Sequence, residues 1–297
     1  MKQLPTSGNH SRKDSELILN ADGTVYHLGI NGDHIADTII IVGDPDRVSN
    51  ISGRFDRIQV QKANREFAIH TGTLNGKRLS VVSTGIGVDN VDIVINELHV
   101  AANFDLPSRA PKGEFRQLSF VRLGTSGCMQ ADIDVGSFVS SAFALGNDGV
   151  PWYYGAELTD QEKQLSETFH SNVEWPAELS KPYVGTADEE LLALFDFAQQ
   201  GITFTSNGFY APQLRELVVQ PRFPHLLEQM QKTRFKGLRF TNFEMECAGI
   251  YALSNMFGHR AVTVCAILAN RAKGTFTNDA GRVVNDLITN ALSRLTR

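Results

Sequence analysis

The fold is decided by the stretch TIIIVGDPDR, residues 38–47, in which a run of β-branched residues ends at a glycine and an arginine follows four positions later. A continuous apolar run of this kind is typical of a strand buried on both faces of an α/β sheet. Ligands of such proteins bind at the carboxyl ends of the strands. Gly43 lets a ligand approach the backbone, and Arg47 offers a planar charged fork to an oxyanion. We therefore predict an anion site, although the segment alone is better explained by a surface arginine that opens a helix.

Length and composition favour one large α/β domain. The chain has 297 residues, of which 42% are hydrophobic, enough to bury a sizeable core. Residues 1–20 are polar and are predicted to form a flexible extension, whereas residues 21–297 are predicted to form a single domain. The 28 basic and 33 acidic residues give a formal charge of -5, which argues against general binding to nucleic acid or to an anionic membrane.

The cysteines and the N-terminal segment favour a cytoplasmic protein. Cys128, Cys247 and Cys265 are isolated in the sequence, which predicts neither a disulfide framework nor a structural zinc site. The polar start, residues 1–14, lacks the apolar stretch of a signal peptide, and the longest apolar runs are too short for a membrane span. We expect reduced cysteines and a cytoplasmic location.

Strand and helix patterns alternate along the chain and predict an α/β sandwich. Asn75-Gly76 tolerates the positive φ angles of a tight hairpin turn, so the sheet is expected to be mixed. Thr186 and Glu189 have the spacing of a capping box, and the helix they open is predicted to end at Gly201. The remaining predictions are a strand at 118–123 that turns sharply at 124–127, strands at 135–145, 202–206 and 261–269, helices at 89–103, 246–258 and 284–295, and an irregular loop at 106–117.

A second arginine stands in RLGTSG, residues 122–127, at the end of a predicted strand. The small residues that follow it offer backbone N–H groups and two hydroxyls to an anion, a donor set that suits phosphate. A plain turn explains the segment about equally well. A hydrolase serine is disfavoured because the segment lacks the final glycine of a GxSxG nucleophile elbow.

A glycine-rich segment, Gly85-Ile86-Gly87, lies between a predicted strand and a predicted helix. It partly matches a dinucleotide-binding fingerprint, but Asn90 stands where the third glycine is required. No convincing acidic residue follows at the next strand end. This segment is the only support in the sequence for a non-catalytic nucleotide-binding module.

Two carboxylates, Glu244 and Glu246, lie two residues apart before a predicted helix. On an extended segment this spacing places both on one face. Glycosidases also use two carboxylates, but their pair flanks the bond from separate elements, whereas neighbouring carboxylates more naturally accept hydrogen bonds from sugar hydroxyls. A solvated charge pair is the plain alternative.

An aromatic residue, an amide and a guanidinium are close together at Phe209, Gln213 and Arg215. An aromatic platform with polar side chains beside it is typical of a pocket that reads a nucleobase. Uracil presents an acceptor, a donor and an acceptor along one edge, which an amide and a guanidinium can match, whereas cytosine reverses two of these. A loop with incidental polar residues is the alternative.

Taken together, these segments resemble the nucleoside phosphorylase family, which includes the purine nucleoside and uridine phosphorylases, from about residue 25 to the C-terminus. Five separated motifs agree in their order along the chain, and they are Val25-Tyr26-His27-Leu28-Gly29, Gly43-Asp44-Pro45-Asp46-Arg47, Asn64-Arg65-Glu66-Phe67, Arg122-Leu123-Gly124-Thr125 and Phe243-Glu244-Met245-Glu246. The resemblance is nearest to the uridine phosphorylases, because Gln213 and Arg215 match their base-binding motif. It implies a three-layer α/β/α sandwich around a central mixed sheet.

The resemblance also implies a role for each matching residue. The phosphate ligands would be Gly43, Arg47, Arg122 and Thr125, with Arg65 supplied by a neighbouring subunit. The ribose ligands would be Thr125, Met245 and Glu246, with His27 supplied by the neighbour. Phe209 would stack on the base, while Gln213 and Arg215 would read its edge. The residues implied in catalysis are Arg122, Gln213, Arg215 and Glu246.

The implied reaction is the reversible phosphorolysis of uridine to uracil and ribose 1-phosphate, with inorganic phosphate as co-substrate and no organic cofactor. The implied assembly is a homodimer that completes each active site, or a hexamer of such dimers. Some relatives hold a monovalent cation at the dimer interface, and Glu66 and Ser83 are the corresponding candidates here. No other metal is predicted.

Other activities on the same fold stay open at this point. In purine-specific members an Asp after the penultimate strand assists departure of the base, whereas the corresponding segment here carries Asn270, which has no acid proton to give. The alternatives are a purine nucleoside phosphorylase and a nucleosidase that uses water. The extension, the 106–117 loop and Val88-Asp89-Asn90 depart from the family pattern, so the sequence leaves the assembly and the entrance to the site undefined.

Overall fold

A computed structural model describes residues 1–3, 8 and 10–297, so that residues 4–7 and 9 of the predicted extension lie outside the described residues. The strands are β1 (Thr38–Val42), β2 (Arg57–Asn64), β3 (Phe67–Leu74), β4 (Lys77–Ser83), β5 (Phe104–Asp105), β6 (Ala110–Pro111), β7 (Ser119–Cys128), β8 (Phe138–Gly146), β9 (Tyr183–Thr186), β10 (Gln199–Thr205), β11 (Arg234–Phe235), β12 (Leu238–Glu244), β13 (Arg260–Asn270) and β14 (Thr275–Phe276). The helices are α1 (Pro45–Ser52), α2 (Val88–Asn103), α3 (Val150–Tyr153), α4 (Asp160–Asn172), α5 (Glu189–Ala193), α6 (Leu226–Lys232), α7 (Cys247–Met256) and α8 (Ala280–Leu295). Within the described part of the chain, no helix has the length and apolar character needed to cross a membrane.

Strand β1 lies in the interior of a mixed sheet whose order is β11-β12-β10-β8-β13-β7-β1-β4-β3-β2. It runs parallel to both neighbours, β4 and β7. Ile39 and Ile41 belong to the core that includes α2 and α7, whereas Ile40 and Val42 belong to the core that includes α1 and α8. Because both faces of β1 are covered, its apolar run is unbroken. The predicted three-layer α/β/α sandwich with a mixed sheet is confirmed.

Strand β7 links the two halves of the sheet. It runs parallel to β13 over nearly its whole length, and its end also pairs in antiparallel fashion with β12, where Phe243 is opposite Gly127. This additional pairing curls the sheet, so the carboxyl ends of β1, β7, β12 and β13 lie near one another. Polar residues that follow these strands can therefore share one cleft.

The sharp turn predicted at 124–127 is wrong, because β7 continues through these residues to Cys128. They pair with β13 from Cys265 to Ala269. A Cβ atom at Gly124 would lie 2.1 Å from Nη1 of Arg122. The glycine therefore makes room for the arginine inside a strand and does not mark a turn.

The capping box predicted at Thr186 and Glu189 is also wrong. Asp188 caps α5 and accepts a hydrogen bond of 2.9 Å from the Leu191 N–H, while Thr186 donates its hydroxyl to Glu162 at 2.9 Å. The helix ends at Ala193, before the predicted Gly201, which lies in β10. Asp and Thr are comparable N-caps, so the spacing alone does not select between adjacent candidates.

Other local predictions are confirmed. Asn75 and Gly76 form the turn between β3 and β4 with φ angles of 51° and 75°. Helices α2, α7 and α8 and strands β8, β10 and β13 occupy the predicted segments. The 106–117 loop contains β6, and Arg116 ties it to the body by donating to the carbonyls of Gly32 and Ile35 at 2.7 and 2.8 Å.

Candidate active site

A cleft of about 790 Å³ opens at the carboxyl ends of β1, β7, β12 and β13. Its walls contain most of the residues predicted for the site. These are Gly43, Arg47, Arg122, Thr125, Phe209, Gln213, Arg215, Met245 and Glu246. The curl of the sheet thus brings together four segments that are far apart in the sequence.

Arg47 and Gly43 form one end of the cleft. Asp44 caps α1 by accepting the Asp46 N–H at 2.9 Å, so the helix begins at Pro45 and presents Arg47 in its first turn. The Arg47 guanidinium donates to the Leu123 carbonyl at 3.3 Å, and burial lowers its pKa, although the Asp44 carboxylate acts in the opposite direction. Arginine remains charged at neutral pH in such a setting. This end of the cleft is therefore cationic and bordered by backbone.

Arg122 is a buried charge in the cleft wall and is only 4% exposed. Its Nη2 atom lies 3.2 Å from Oε2 of Glu244 and also donates to Glu246. Burial by itself disfavours the charged form, but Glu244 and Glu246 outweigh it and hold the pKa of Arg122 well above its ordinary value. Nη1 contacts the Cys265 sulfur at 3.3 Å. Arg122 is thus a fixed cation oriented by two carboxylates.

The two carboxylates have different surroundings. Glu244 accepts the backbone N–H groups of Glu246 and Cys247 at 2.9 and 2.8 Å and the hydroxyl of Thr205, so it caps the start of α7. Burial raises the pKa of Glu244, while the Arg122 charge acts against this. Glu246 instead contacts Arg122 and the Gly87 N–H, the latter at 2.9 Å. Glu244 therefore stabilises the start of α7, whereas Glu246 makes fewer backbone contacts and is the better candidate to bind a ligand in the cleft.

The contact with Glu246 gives Gly85-Ile86-Gly87 a function unrelated to dinucleotides. Gly87 has a φ of 98°, a conformation that side-chain-bearing residues rarely adopt, and Gly85 has a φ of 69°. This backbone conformation points the Gly87 N–H toward the Glu246 carboxylate. The segment therefore fixes Glu246 and borders the cleft.

Phe209, Gln213 and Arg215 form the other end of the cleft. The Arg215 guanidinium lies 3.8 Å from the centre of the Phe209 ring and also contacts the Gln213 side-chain oxygen. Burial, together with the nearby charge of Arg271, lowers the pKa of Arg215 to about 10. An aromatic face, an amide and a guanidinium thus lie together at this end of the cleft, and their role in base binding stays a prediction.

Arg271 also lines the cleft and was not predicted. It donates to the carbonyls of Gln213 and Leu214 at 2.7 and 2.9 Å, and Leu214 adopts a left-handed φ of 60°. The neighbouring Asn270 does not line the cleft, because its amide donates to the carbonyls of Gln130 and Ile133. The sequence signal for Arg271 was an arginine two residues after a predicted strand, similar to the signal that identified Arg47.

His27 and Arg65 lie outside the cleft of their own chain. His27 contacts the Glu97 carboxylate at 2.6 Å, and the guanidinium of Arg65 lies 5.9 Å from the centre of the Tyr26 ring. Asn64 connects the two regions by donating to the His27 carbonyl at 2.8 Å. The two residues predicted to serve a neighbouring subunit therefore lie near each other but apart from the rest of the site.

The candidates for a cation site are Glu66 and Ser83. Ser83 donates its hydroxyl to the Glu66 carbonyl at 2.7 Å and accepts the Ala68 N–H at 2.7 Å, so it stabilises the β3–β4 hairpin. Across the described ranges, no three His, Cys, Asp or Glu side chains are grouped closely enough to hold a metal ion. The monovalent cation stays a prediction.

A family model described as the phosphorylase superfamily matches residues 37–297, and the chain belongs to that superfamily. Among its curated relatives, the uridine phosphorylase of Thermococcus kodakarensis is 31% identical over 263 residues, which cover 86% of this chain and 80% of that protein. The uridine phosphorylase of Escherichia coli is 26% identical over 257 residues, covering 86% and 89%. A solved structure of a Trypanosoma brucei nucleoside phosphorylase, described as showing uridine phosphorylase activity, matches with a TM-score of 0.82 and 28% identity, covering 93% of this chain and 99% of that one.

Proposed function

We propose that the protein is a pentosyltransferase that catalyses the reversible phosphorolysis of uridine to uracil and ribose 1-phosphate. The observation that carries the proposal is that one cleft holds the half-buried Arg47 and the buried Arg122 at one end, the Gln213 and Arg215 pair at the other, and Glu246 at its wall. A site that binds a nucleoside together with phosphate needs a polar group for the sugar, placed between a pocket for the base and a pocket for the phosphate. The similarity to uridine phosphorylases over most of the chain supports the same assignment.

In the proposed reaction, an oxygen of phosphate attacks C1′ of the ribose as the bond from C1′ to N1 of uracil breaks. The bonding electrons leave with uracil, and solvent then supplies the proton to its nitrogen. Arg47 and Arg122 hold the phosphate dianion with charge-assisted hydrogen bonds, with Gly43 and Thr125 beside it. The rate enhancement comes from placing the phosphate next to C1′ and from stabilising the charge that develops in the transition state.

The ribose is proposed to bind between the two ends of the cleft. Glu246 accepts hydrogen bonds from its hydroxyls, and Met245 and Thr125 border it. The contact of Glu246 with Arg122 joins sugar binding to phosphate binding, because the same guanidinium faces both. This arrangement favours a ternary complex and needs no covalent intermediate.

The base is proposed to stack on Phe209, with Gln213 and Arg215 hydrogen-bonded to its edge. Both side chains also stabilise the negative charge that uracil carries as it departs. A site that pairs with one edge of a base rejects an analogue that leaves buried groups unpaired by up to about 10⁴. Uridine is therefore preferred over cytidine.

A homodimer is part of the proposal, because His27 and Arg65 lie outside the cleft of their own chain. Arg65 of the partner subunit would be the third arginine around the phosphate, and His27 of the partner subunit would reach the 5′-hydroxyl. A cytoplasmic location is proposed as well and accords with three buried free cysteines.

The test is to incubate the protein with uridine, thymidine, cytidine, inosine and adenosine, each with and without phosphate, and to identify the products. We expect uracil and ribose 1-phosphate from uridine, and no reaction of uridine without phosphate. Release of free ribose would favour the nucleosidase alternative, and reaction of inosine or adenosine instead of uridine would favour the purine enzyme. Binding of nucleosides without turnover would favour a non-catalytic module.

A further inference from the structure

A second cavity, of about 440 Å³, lies directly behind the segment that carries Gln213 and Arg215. Cavities of this size with mostly apolar walls and a few polar groups are typical of sites for small molecules. Three aromatic side chains belong to the wall, and they are Trp175, Phe204 and Phe223. None of the roles proposed for the main cleft uses this cavity.

The wall between the two cavities is a single stretch of chain, residues 209–215. Gln213 and Arg215 line the main cleft, whereas Pro212 and Leu214 line the second cavity. Leu214 adopts a left-handed φ of 60°, which is unfavourable for a residue with a side chain and persists only when its surroundings hold it. Pro212 and Leu214 flank Gln213 in the chain, so the second cavity lies directly against the backbone that positions Gln213.

A buried asparagine, Asn147, lies at the wall of the second cavity. Asn147 is 6% exposed, and its Oδ1 atom accepts the Asn207 N–H at 3.0 Å. Within the described residues, its Nδ2 group makes no hydrogen bond. The Nδ2 group is therefore available to donate to an occupant that has an acceptor oxygen.

The charges around the second cavity are already paired. Arg222 and Glu178 form an ion pair of 2.9 Å, and the Arg222 guanidinium also lies 5.0 Å from the centre of the Phe223 ring. The indole N–H of Trp175 donates to the Ser180 carbonyl at 3.1 Å. A charged ligand would have no free countercharge here, so aromatic walls and one amide donor favour an uncharged, flat occupant.

We propose that the second cavity binds a planar, uncharged heterocycle with a carbonyl acceptor, and that this occupant alters base recognition through Pro212 and Leu214. The carbonyl accepts from Nδ2 of Asn147, and the ring packs among the aromatic side chains. Binding at the second cavity is independent of the activity. Only the effect on base recognition rests on the proposed function of Gln213 and Arg215.

Caffeine is the probe for this site, because it is planar and uncharged, has carbonyl acceptors, and lacks the N–H donor that Gln213 is proposed to read. It is titrated by calorimetry into the full-length protein, which has been saturated with uridine in phosphate-free buffer. Uridine occupies the main cleft and does not react there without phosphate. We expect caffeine to bind once per chain under these conditions.

Two variants locate the binding. Asn147→Asp keeps an acceptor for the Asn207 N–H but removes the amide donor, and it should weaken caffeine binding about tenfold or more. Leu226→Trp fills the cavity from α6 and should abolish binding. Asn172→Asp, the same change at an exposed residue of α4, is the matched control and should bind caffeine like the unaltered protein.

The proposal is overturned if the unaltered protein does not bind caffeine, if uridine displaces it, or if binding survives both cavity variants. A second measurement tests the coupling. Caffeine should change the KM for uridine in the unaltered protein and leave that of Leu226→Trp unchanged; binding without any change in KM would refute the coupling. If uridine is not a substrate at all, the calorimetric result still decides whether the site exists.

Discussion

Arg122 is buried directly against Glu244, with 3.2 Å between Nη2 of the guanidinium and Oε2 of the carboxylate. The same guanidinium contacts Glu246, so a single cation stabilises the support of α7 and orients the carboxylate proposed to bind ribose. Replacement of this arginine is therefore expected to affect stability and activity together.

Arg122→Ala should lower the free energy of unfolding by about 3 to 5 kcal/mol, because it leaves two buried carboxylates without their cation. Turnover of uridine at fixed phosphate should fall as well, since a charge-assisted contact to phosphate is lost. Denaturant unfolding and initial rates over a range of phosphate concentrations measure the two effects. An unchanged KM for phosphate with an unchanged rate would remove Arg122 from the phosphate site.

Arg47→Ala separates the two effects. Arg47 has one hydrogen bond to a carbonyl and no carboxylate that depends on it for pairing in the cleft. Its replacement should raise the KM for phosphate while changing the free energy of unfolding by less than about 1 kcal/mol. A loss of stability as large as that of Arg122→Ala would show that the cleft is organised differently.

Gln213→Ala should reduce the preference for uridine over cytidine, because the amide that reads the edge of the base is gone. The change in the ratio of kcat/KM values is expected to be at least about tenfold, with the KM for phosphate preserved. Gln220→Ala is the matched control on the exposed part of the same loop. A variant that lost phosphate affinity and kept its base preference would contradict this division of roles.

Mixed subunits test whether Arg65 serves the partner's site. Arg47→Ala and Arg65→Ala should each be impaired as homodimers. When they are unfolded together and refolded in equal amounts, half of the dimers combine one chain of each kind, and each of these has one intact site, so roughly a quarter of the activity should return. Restoration would be absent if Arg65 acted within its own chain, and the Arg65→Ala homodimer would keep full activity if Arg65 did not act in the site at all.

Two histidines, the half-buried His99 and the buried His259, predict a loss of stability in acid. Burial lowers the pKa of His99 to about 4, and burial together with His99 lowers the pKa of His259 to about 3. Between these values and the ordinary value near 6.5, the unfolded chain binds more protons than the folded one, so stability is complete above pH 6.5 and falls as the pH drops.

The expected loss from His99 alone between pH 7 and pH 4 is about 3 kcal/mol. His99→Asn should flatten this part of the stability profile, whereas His225→Asn, at an exposed position, should not. Denaturant unfolding at several pH values is the measurement. A profile of His99→Asn with the same slope as that of the unaltered protein would show that His99 does not stay neutral in the fold.

The sequence predicts an element well where one local cause decides it. β1 follows from an apolar run that needs cover on both faces, and the β3–β4 turn follows from the φ angles of Asn75 and Gly76. The turn predicted at 124–127 failed because the reason for Gly124 is not local. The glycine accommodates the Arg122 side chain, which only the folded strand reveals.

Prediction of the site from the sequence has the same limit. Arg47, Gln213 and Glu246 are identified by the chemistry of their own segments and by the resemblance to a known family. Arg271 was overlooked because its partners are carbonyls of Gln213 and Leu214, more than fifty residues earlier in the chain. The position of Arg271 after a predicted strand was a local signal for the cleft, but its contacts with distant backbone cannot be inferred from periodicity or from a motif.

The central claim is that the cleft transfers ribose from uracil to phosphate, and phosphorus NMR of the reaction of uridine with inorganic phosphate tests it most directly. We predict that the phosphate signal declines as a signal of ribose 1-phosphate grows, with one uracil released for each. Release of uracil with no new phosphate ester, or no consumption of uridine at all, would contradict the account.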